Sequence, residues 1–187
     1  MVDMFNKNGV PLLYLAGGYS RSEYEEKIKG WFANTTSNSM SFIYLICHGG
    51  KYGVEIIKNP KVPNDVYMSY EELKELLDKY VKGEKVLLIE SCASGSSIEY
   101  NPDNGYGPLC DQKYHIFCST TPGDNSNENY HVSEIWAAGC RNLHPLTVRR
   151  LQDYTVKVME MSMIYKHWLP SQRPQMWSYN TNVVLFD

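Results

Sequence analysis

Blocks of consecutive apolar residues alternate along this chain with segments whose apolar positions recur at helical spacing. The blocks predict strands buried on both faces, because their apolar residues do not alternate with polar ones. Strands are predicted at residues 10–16, 41–50, 86–89, 114–119 and 180–186, and an outer hairpin strand is predicted at residues 52–57.

The segments with helical spacing predict four helices. They lie at residues 21–31, after Ser69 and before Gly83, at residues 131–140 and at residues 146–168. Ser69 and Glu72 have the spacing of a capping box. Strands that alternate with helices predict a mostly parallel sheet with helices on both faces. The 187 residues, 43% of them hydrophobic, suit a single domain over residues 1–187.

The strand at residues 86–89 ends in Glu90-Ser91-Cys92 and a run of small residues, Ala93 to Ser97. Small residues let the backbone turn sharply there. A thiol at the carboxyl end of a central strand lies where open α/β sheets bind their ligands. Cys92 is therefore a candidate nucleophile.

A second buried strand ends in His48-Gly49-Gly50. If the two strands are neighbours, His48 and Cys92 meet at one edge of the sheet, although 44 positions (92 − 48) separate them. A cysteine nucleophile needs a nearby imidazole, which helps to generate the thiolate and later protonates the leaving amine.

Two other interpretations compete with a Cys–His dyad. Cys92 and His48 could each be ordinary core residues, since free cysteine is commonly buried. Both stand at the end of a predicted strand and are followed by glycine or small residues, which argues against this interpretation. A metal site would use Cys47, His48 and Cys92. Adjacent residues on a strand point to opposite faces, and no Cys-x-x-Cys pair occurs, so we expect no metal and no cofactor.

These two blocks resemble the signature of the caspase, legumain, clostripain and gingipain group of cysteine peptidases. The segment from Glu90 to Ser96, ESCASGS, is most similar to the legumain-type Glu-Ala-Cys-Glu-Ser-Gly-Ser, from which Ser91 and Ala93 depart. The resemblance implies a caspase-like three-layer α/β/α sandwich with a mostly parallel central sheet. It also implies a peptide or protein substrate.

The resemblance assigns further site residues. The backbone N–H groups of Gly49 and Cys92 would stabilise the oxyanion, and Arg21 and Glu90 would bind the substrate side chain. Arg21 and Glu90 together offer donors and acceptors, which suits the carboxamide of Asn. Ser22 stands where legumains have a histidine, and Tyr19 where they have the Asn that orients the catalytic histidine. The residue that would form the acidic wall of the pocket is not assigned; the candidates are Glu128, Ser133 and Glu134.

Charge and composition limit the partners. A formal net charge of −3 and a pI near 6.0 give no basic footprint for nucleic acid or an anionic membrane. The longest apolar runs are shorter than a membrane span. The amino terminus lacks the basic region of a signal peptide, and the five cysteines have no disulfide-framework spacing. We therefore expect a cytoplasmic protein, with secretion of a processed form as the alternative.

The leading hypothesis is a cysteine endopeptidase that cleaves after Asn or Asp. Alternatives are caspase-like specificity for Asp, clostripain-like specificity for Arg or Lys, a transpeptidase, and a non-catalytic binding module. The polar loop at residues 99–112 is either an ordinary solvated loop or a segment that the enzyme cleaves itself.

Overall fold

A five-stranded sheet forms the middle layer of the molecule. The computed structural model describes residues 12–16, 19–56, 67–100, 102, 105, 107–126, 131–166 and 172–186. The sheet has the order β1 (Leu12–Ala16), β2 (Met40–Ile46), β6 (Glu84–Glu90), β7 (Tyr114–Cys118) and β9 (Gln175–Ser178). The first four strands are parallel, and β9 pairs antiparallel with β7 at the edge.

Helices cover both faces of the sheet. On one face lie α1 (Arg21–Trp31) and α2 (Tyr70–Tyr80), which pack with buried residues such as Ile28 and Leu73. On the other face lie α3 (Val132–Asn142) and α4 (Val148–Lys166), with Trp136 and Leu151 in a second core cluster. The predicted mostly parallel sheet with helices on both faces is confirmed.

Capping boxes start both helices of the first face. The Ser69 side chain accepts a hydrogen bond from the Glu72 N–H, and the Glu72 carboxylate accepts one from the Ser69 N–H. Ser20 and Glu23 make the same pair at α1. In α1, Ile28 is buried as the spacing predicts, but Trp31 is 53% exposed, so the apolar face ends one turn earlier than predicted.

Short strands form two smaller sheets. One contains β3 (Gly49–Gly50), β4 (Gly53–Glu55) and β5 (Tyr67–Ser69), and the other pairs β8 (Leu146–Thr147) with β10 (Val184–Phe186). The predicted strand at 41–50 is thus divided between β2 and β3. Of the closing strand predicted at 180–186, only β10 forms, and it lies outside the central sheet. The edge of the central sheet is formed by β9 instead.

No helix in the described part of the chain combines the length and the apolarity that a membrane crossing requires. Some predicted segments extend beyond the described residues: positions 10 and 11 of the first strand, 57 of the hairpin strand, and 167 and 168 of the long helix. In the loop at 99–112, residues 101, 103, 104 and 106 also lie outside them.

Candidate active site

The pairing of β2 with β6 brings the two candidate segments together. The strands are parallel and in register from Met40↔Glu84 to Ile46↔Glu90, so His48 and Cys92 each follow the last pair by two residues. The Cys47 N–H continues the ladder by donating to the Glu90 carbonyl at 3.4 Å. Carboxyl ends of parallel strands meet at one edge of a sheet, which is where ligands bind in such folds.

Gly49 lies against the turn that holds Cys92. A Cβ atom at Gly49 would stand 2.6 Å from Ser91 Oγ and 2.8 Å from the Cys92 carbonyl oxygen, both far inside van der Waals contact. Only a residue without a side chain permits this approach. Just before Gly49, the His48 carbonyl accepts the Glu55 N–H at 2.8 Å, which joins this segment to β4.

Cys92 sits in a tight, strained turn between β6 and a 3-10 helix at Ser94–Ser97. Ala93 has φ +52°, a left-handed conformation that costs an L-residue about 1–2 kcal/mol. Its N–H donates to the Asp124 carbonyl at 2.8 Å, and this bond fixes the turn. The Cys92 thiol is half-buried, and its Sγ accepts the N–H of Ser126 at 3.3 Å.

The His48 imidazole is exposed. In the described part of the chain, no hydrogen bond joins this ring to Cys92 Sγ. Catalytic hydrogen bonds are often long in the free enzyme and tighten when substrate binds. What the fold provides is the juxtaposition of two backbone segments, one that carries the exposed His48 and one that carries the half-buried Cys92.

The other four cysteines are poor nucleophiles. Burial raises the pKa of the Cys47, Cys118 and Cys140 thiols to about 12 and that of Cys110 to about 11; at Cys47 the charge of Glu55 adds to the effect. A thiol with so high a pKa carries almost no thiolate near neutral pH.

A hydroxyl network supports the nucleophile turn from the next strand. Ser94 and Thr120 exchange hydrogen bonds, since the Ser94 N–H donates to Thr120 Oγ1 at 3.0 Å and the Thr120 N–H donates to Ser94 Oγ at 3.1 Å. The Ser119 and Thr120 hydroxyls both donate to the Ser91 carbonyl, at 3.3 and 3.2 Å. Neither residue was among the predicted site residues, although Ser119 ends the strand predicted at 114–119; the position of Ser119-Thr120 at the end of a strand beside β6 is the signal that marks them.

The structure does not bring the two predicted substrate-binding residues into contact. Arg21, the first residue of α1, pairs with Glu72 at 2.9 Å, and both side chains are partly exposed. Glu90 ends β6 and is only 4% exposed. Its carboxylate accepts a hydrogen bond from the Tyr44 hydroxyl and lies 3.4 Å from Nδ1 of His131. A buried carboxylate is costly unless it is paired, which gives Tyr44 and His131 a clear role.

Of the candidates for the acidic wall, Ser133 and Glu134 lie in the first turn of α3, and position 128 is outside the described residues. Among the described residues, no three His, Cys, Asp or Glu side chains are grouped to hold a metal ion. His131, which the sequence analysis did not single out, is the residue that the structure adds to this edge.

Comparisons with known proteins agree with this geometry. The model of the Peptidase C13 family matches residues 16–105, a range that contains both His48 and Cys92. Caspase-1 from Spodoptera frugiperda superposes with a TM-score of 0.60 at 15% identity, over 86% of this chain and 70% of that one. The Geobacter sulfurreducens protein GSU0716 superposes with a TM-score of 0.54 at 15% identity, over 89% and 78%. A search of curated protein sequences finds no match.

The fold is therefore that of the caspases, as the resemblance implied, with three layers around a mostly parallel sheet. The family match covers 90 of the 187 residues, so the chain is similar to the C13 peptidases in that range and to the caspases in its fold. The proteins that this chain is similar to, in sequence over that range and in fold, are cysteine peptidases.

Proposed function

We propose that this protein is a cysteine endopeptidase in which Cys92 and His48 cleave peptide bonds through an acyl-enzyme. The observation that carries the proposal is the close packing of Gly49 on Ser91 and Cys92, because it brings the His48 segment onto the nucleophile turn. The half-buried thiol with an N–H donor on its sulfur supports the choice of nucleophile.

The reaction follows from these positions. His48 takes the thiol proton, and the Cys92 thiolate attacks the carbonyl carbon of the scissile bond. The oxyanion that forms is stabilised by the N–H groups of Gly49 and Cys92, each worth about 3–4 kcal/mol in the transition state. The imidazolium then protonates the leaving amine, and a thioester remains on Cys92. Water, activated by His48, hydrolyses the thioester and regenerates the thiol.

The same intermediate permits transpeptidation if an amine replaces the water. For selectivity we propose Asn, or Asp, before the cleaved bond, on the resemblance of Glu90-Ser91-Cys92 to the legumain-type segment. The proposed contact of Arg21 with substrate has no direct support, because Arg21 is paired with Glu72.

A positional peptide library cut by the purified protein tests this function. We expect cleavage with Asn or Asp before the bond, which is abolished in Cys92→Ala and in His48→Ala. Cys47→Ala is the matched control and should retain activity, because its thiol is buried. Cleavage after Arg or Lys would favour the clostripain-like alternative, and full turnover by Cys92→Ala would refute the mechanism. A protein that cleaves nothing in the library would be a binding module with this fold.

A further inference from the structure

The carboxylate of Glu90 is too enclosed to meet a substrate directly. The side chain is 4% exposed, and its Oε1 atom is buried. The Tyr44 hydroxyl donates to the other oxygen, Oε2. Among the described residues, none donates a hydrogen bond of good geometry to Oε1. A buried carboxylate oxygen is expected to have a hydrogen-bond partner, and here that partner would lie at the open side of the site.

His131 occupies that open side. Its Nδ1 lies 3.4 Å from Oε1, and its side chain is 42% exposed, so the imidazole separates the buried carboxylate from solvent. His131 is the N-cap residue of α3, and its backbone carbonyl accepts the first bond of the helix from the Glu134 N–H at 3.1 Å. This bond fixes the backbone of His131 and therefore the position from which its imidazole ring extends.

The nucleophile and His131 border the same edge of the sheet. Glu90 precedes Cys92 by two residues, and the loop that leads toward α3 gives its Ser126 N–H to Cys92 Sγ. Arg21, by contrast, is held by Glu72 at the start of α1. Among the described residues, His131 is therefore the candidate donor to a substrate side chain that lies directly beside Glu90.

We propose that His131 is the specificity-determining residue of this site and reads the substrate side chain with Nε2, while Glu90 acts behind it as a positioning residue. The inference rests on the proposed peptidase function. Because Nδ1 faces the carboxylate, the ring proton is expected there, and Nε2 is the nitrogen left for substrate.

This arrangement selects a carboxamide. Neutral Nε2 accepts from the amide NH2 of Asn, and protonated Nε2–H donates to its carbonyl, so Asn satisfies the ring in both states. The carboxylate of Asp satisfies only the protonated ring. Without the imidazole, the uncovered Glu90 carboxylate would repel Asp and attract Lys or Arg. The exposed Glu134 carboxylate, in the first turn of α3, would add to that repulsion.

The test measures kcat/KM of the full chain on fluorogenic peptides that differ only in the residue before the bond, namely Asn, Asp, Ala and Lys. His131→Ala should lower kcat/KM for Asn about tenfold, as expected for loss of one hydrogen bond, and for Asp by more. The Ala peptide should change by less than about threefold, since it makes no such bond. Adding Glu90→Gln to His131→Ala should restore the Asp-to-Asn ratio.

The matched control is His144→Ala, which removes an exposed histidine whose ring hydrogen-bonds the Arg141 carbonyl. Its peptide profile should equal that of the wild type. An equal loss on all four peptides in His131→Ala, or the predicted shift in Arg21→Ala alone, would overturn the assignment while the proposed function stands. If no peptide is cut in a Cys92-dependent way by the wild type, the proposed function fails and this inference with it.

Discussion

Replacement of Gly49 by alanine perturbs the candidate site through backbone packing alone. The new Cβ would lie 2.6 Å from Ser91 Oγ and 2.8 Å from the Cys92 carbonyl oxygen, whereas ordinary contacts begin at 3.4 Å. The Ser91 hydroxyl can rotate, but the Cys92 carbonyl belongs to a strained turn that hydrogen bonds hold on both sides. The backbone at Gly49 or at Cys92 must therefore shift by about 0.6 Å, the difference between 3.4 and 2.8 Å.

Such a shift has two measurable costs. Overpacking typically costs about 1–3 kcal/mol, and in a chain of this size each kcal/mol lowers Tm by roughly 2–4 °C. Both proposed oxyanion donors move relative to each other, and a displaced donor lowers kcat by about 10²–10³-fold. We expect Gly49→Ala to remain folded, with a Tm lowered by roughly 2–12 °C, and to lose at least about hundredfold in kcat.

The assay compares Gly49→Ala with Gly50→Ala, by thermal unfolding and by turnover of an Asn peptide. Gly50 is the matched control, because a Cβ there meets nothing within 4 Å. Gly50→Ala should keep its Tm within a few °C and its kcat within about threefold of the wild type, as surface substitutions usually do. A Gly49→Ala protein with wild-type kcat would refute the reasoning that this approach of the two segments builds the site.

Three further predictions concern thiols, pH and processing. Limited iodoacetamide at pH 7.5, followed by peptide mapping, should modify Cys92 first, since burial raises the pKa of Cys47 and Cys118 to about 12; faster labelling of a buried thiol would contradict this. The preference for Asn over Asp should narrow as pH falls from 7 to 5, because the Asp side chain of the substrate becomes protonated and resembles the amide; a constant ratio would argue against a carboxamide pocket. If the loop is self-cleaved, intact-mass analysis should find the 104–105 bond cut in the wild type and whole in Cys92→Ala, and equal cutting of both proteins would exclude self-processing.

Local signals predicted most of the helices and the central strands. The capping box of Ser69 and Glu72 marks the start of α2, and the uninterrupted apolar block of β6 marks a strand covered on both faces. The edge strand β9 escaped prediction because it has only four residues, mixes polar with apolar side chains and follows Pro174. Its place depends on hydrogen bonds to β7, which are non-local.

The candidate dyad could be predicted from the sequence because both residues follow recognisable strands. The substrate pocket could not be predicted, because it depends on partners that are distant in the chain. Glu90 meets Tyr44 and His131, and Arg21 meets Glu72, through packing that no local spacing records. Whether Arg21 contacts substrate stays a prediction, and the structure adds His131 as a second candidate.

The most direct test of the central claim is to trap the acyl-enzyme. The protein is mixed with an Asn ester substrate, quenched in acid and analysed by intact mass and peptide mapping. The account predicts a single acyl group on Cys92, released by hydroxylamine as a thioester, and none in His48→Ala over the same time. Steady turnover with no acyl group on Cys92, or with the group on another residue, would contradict it.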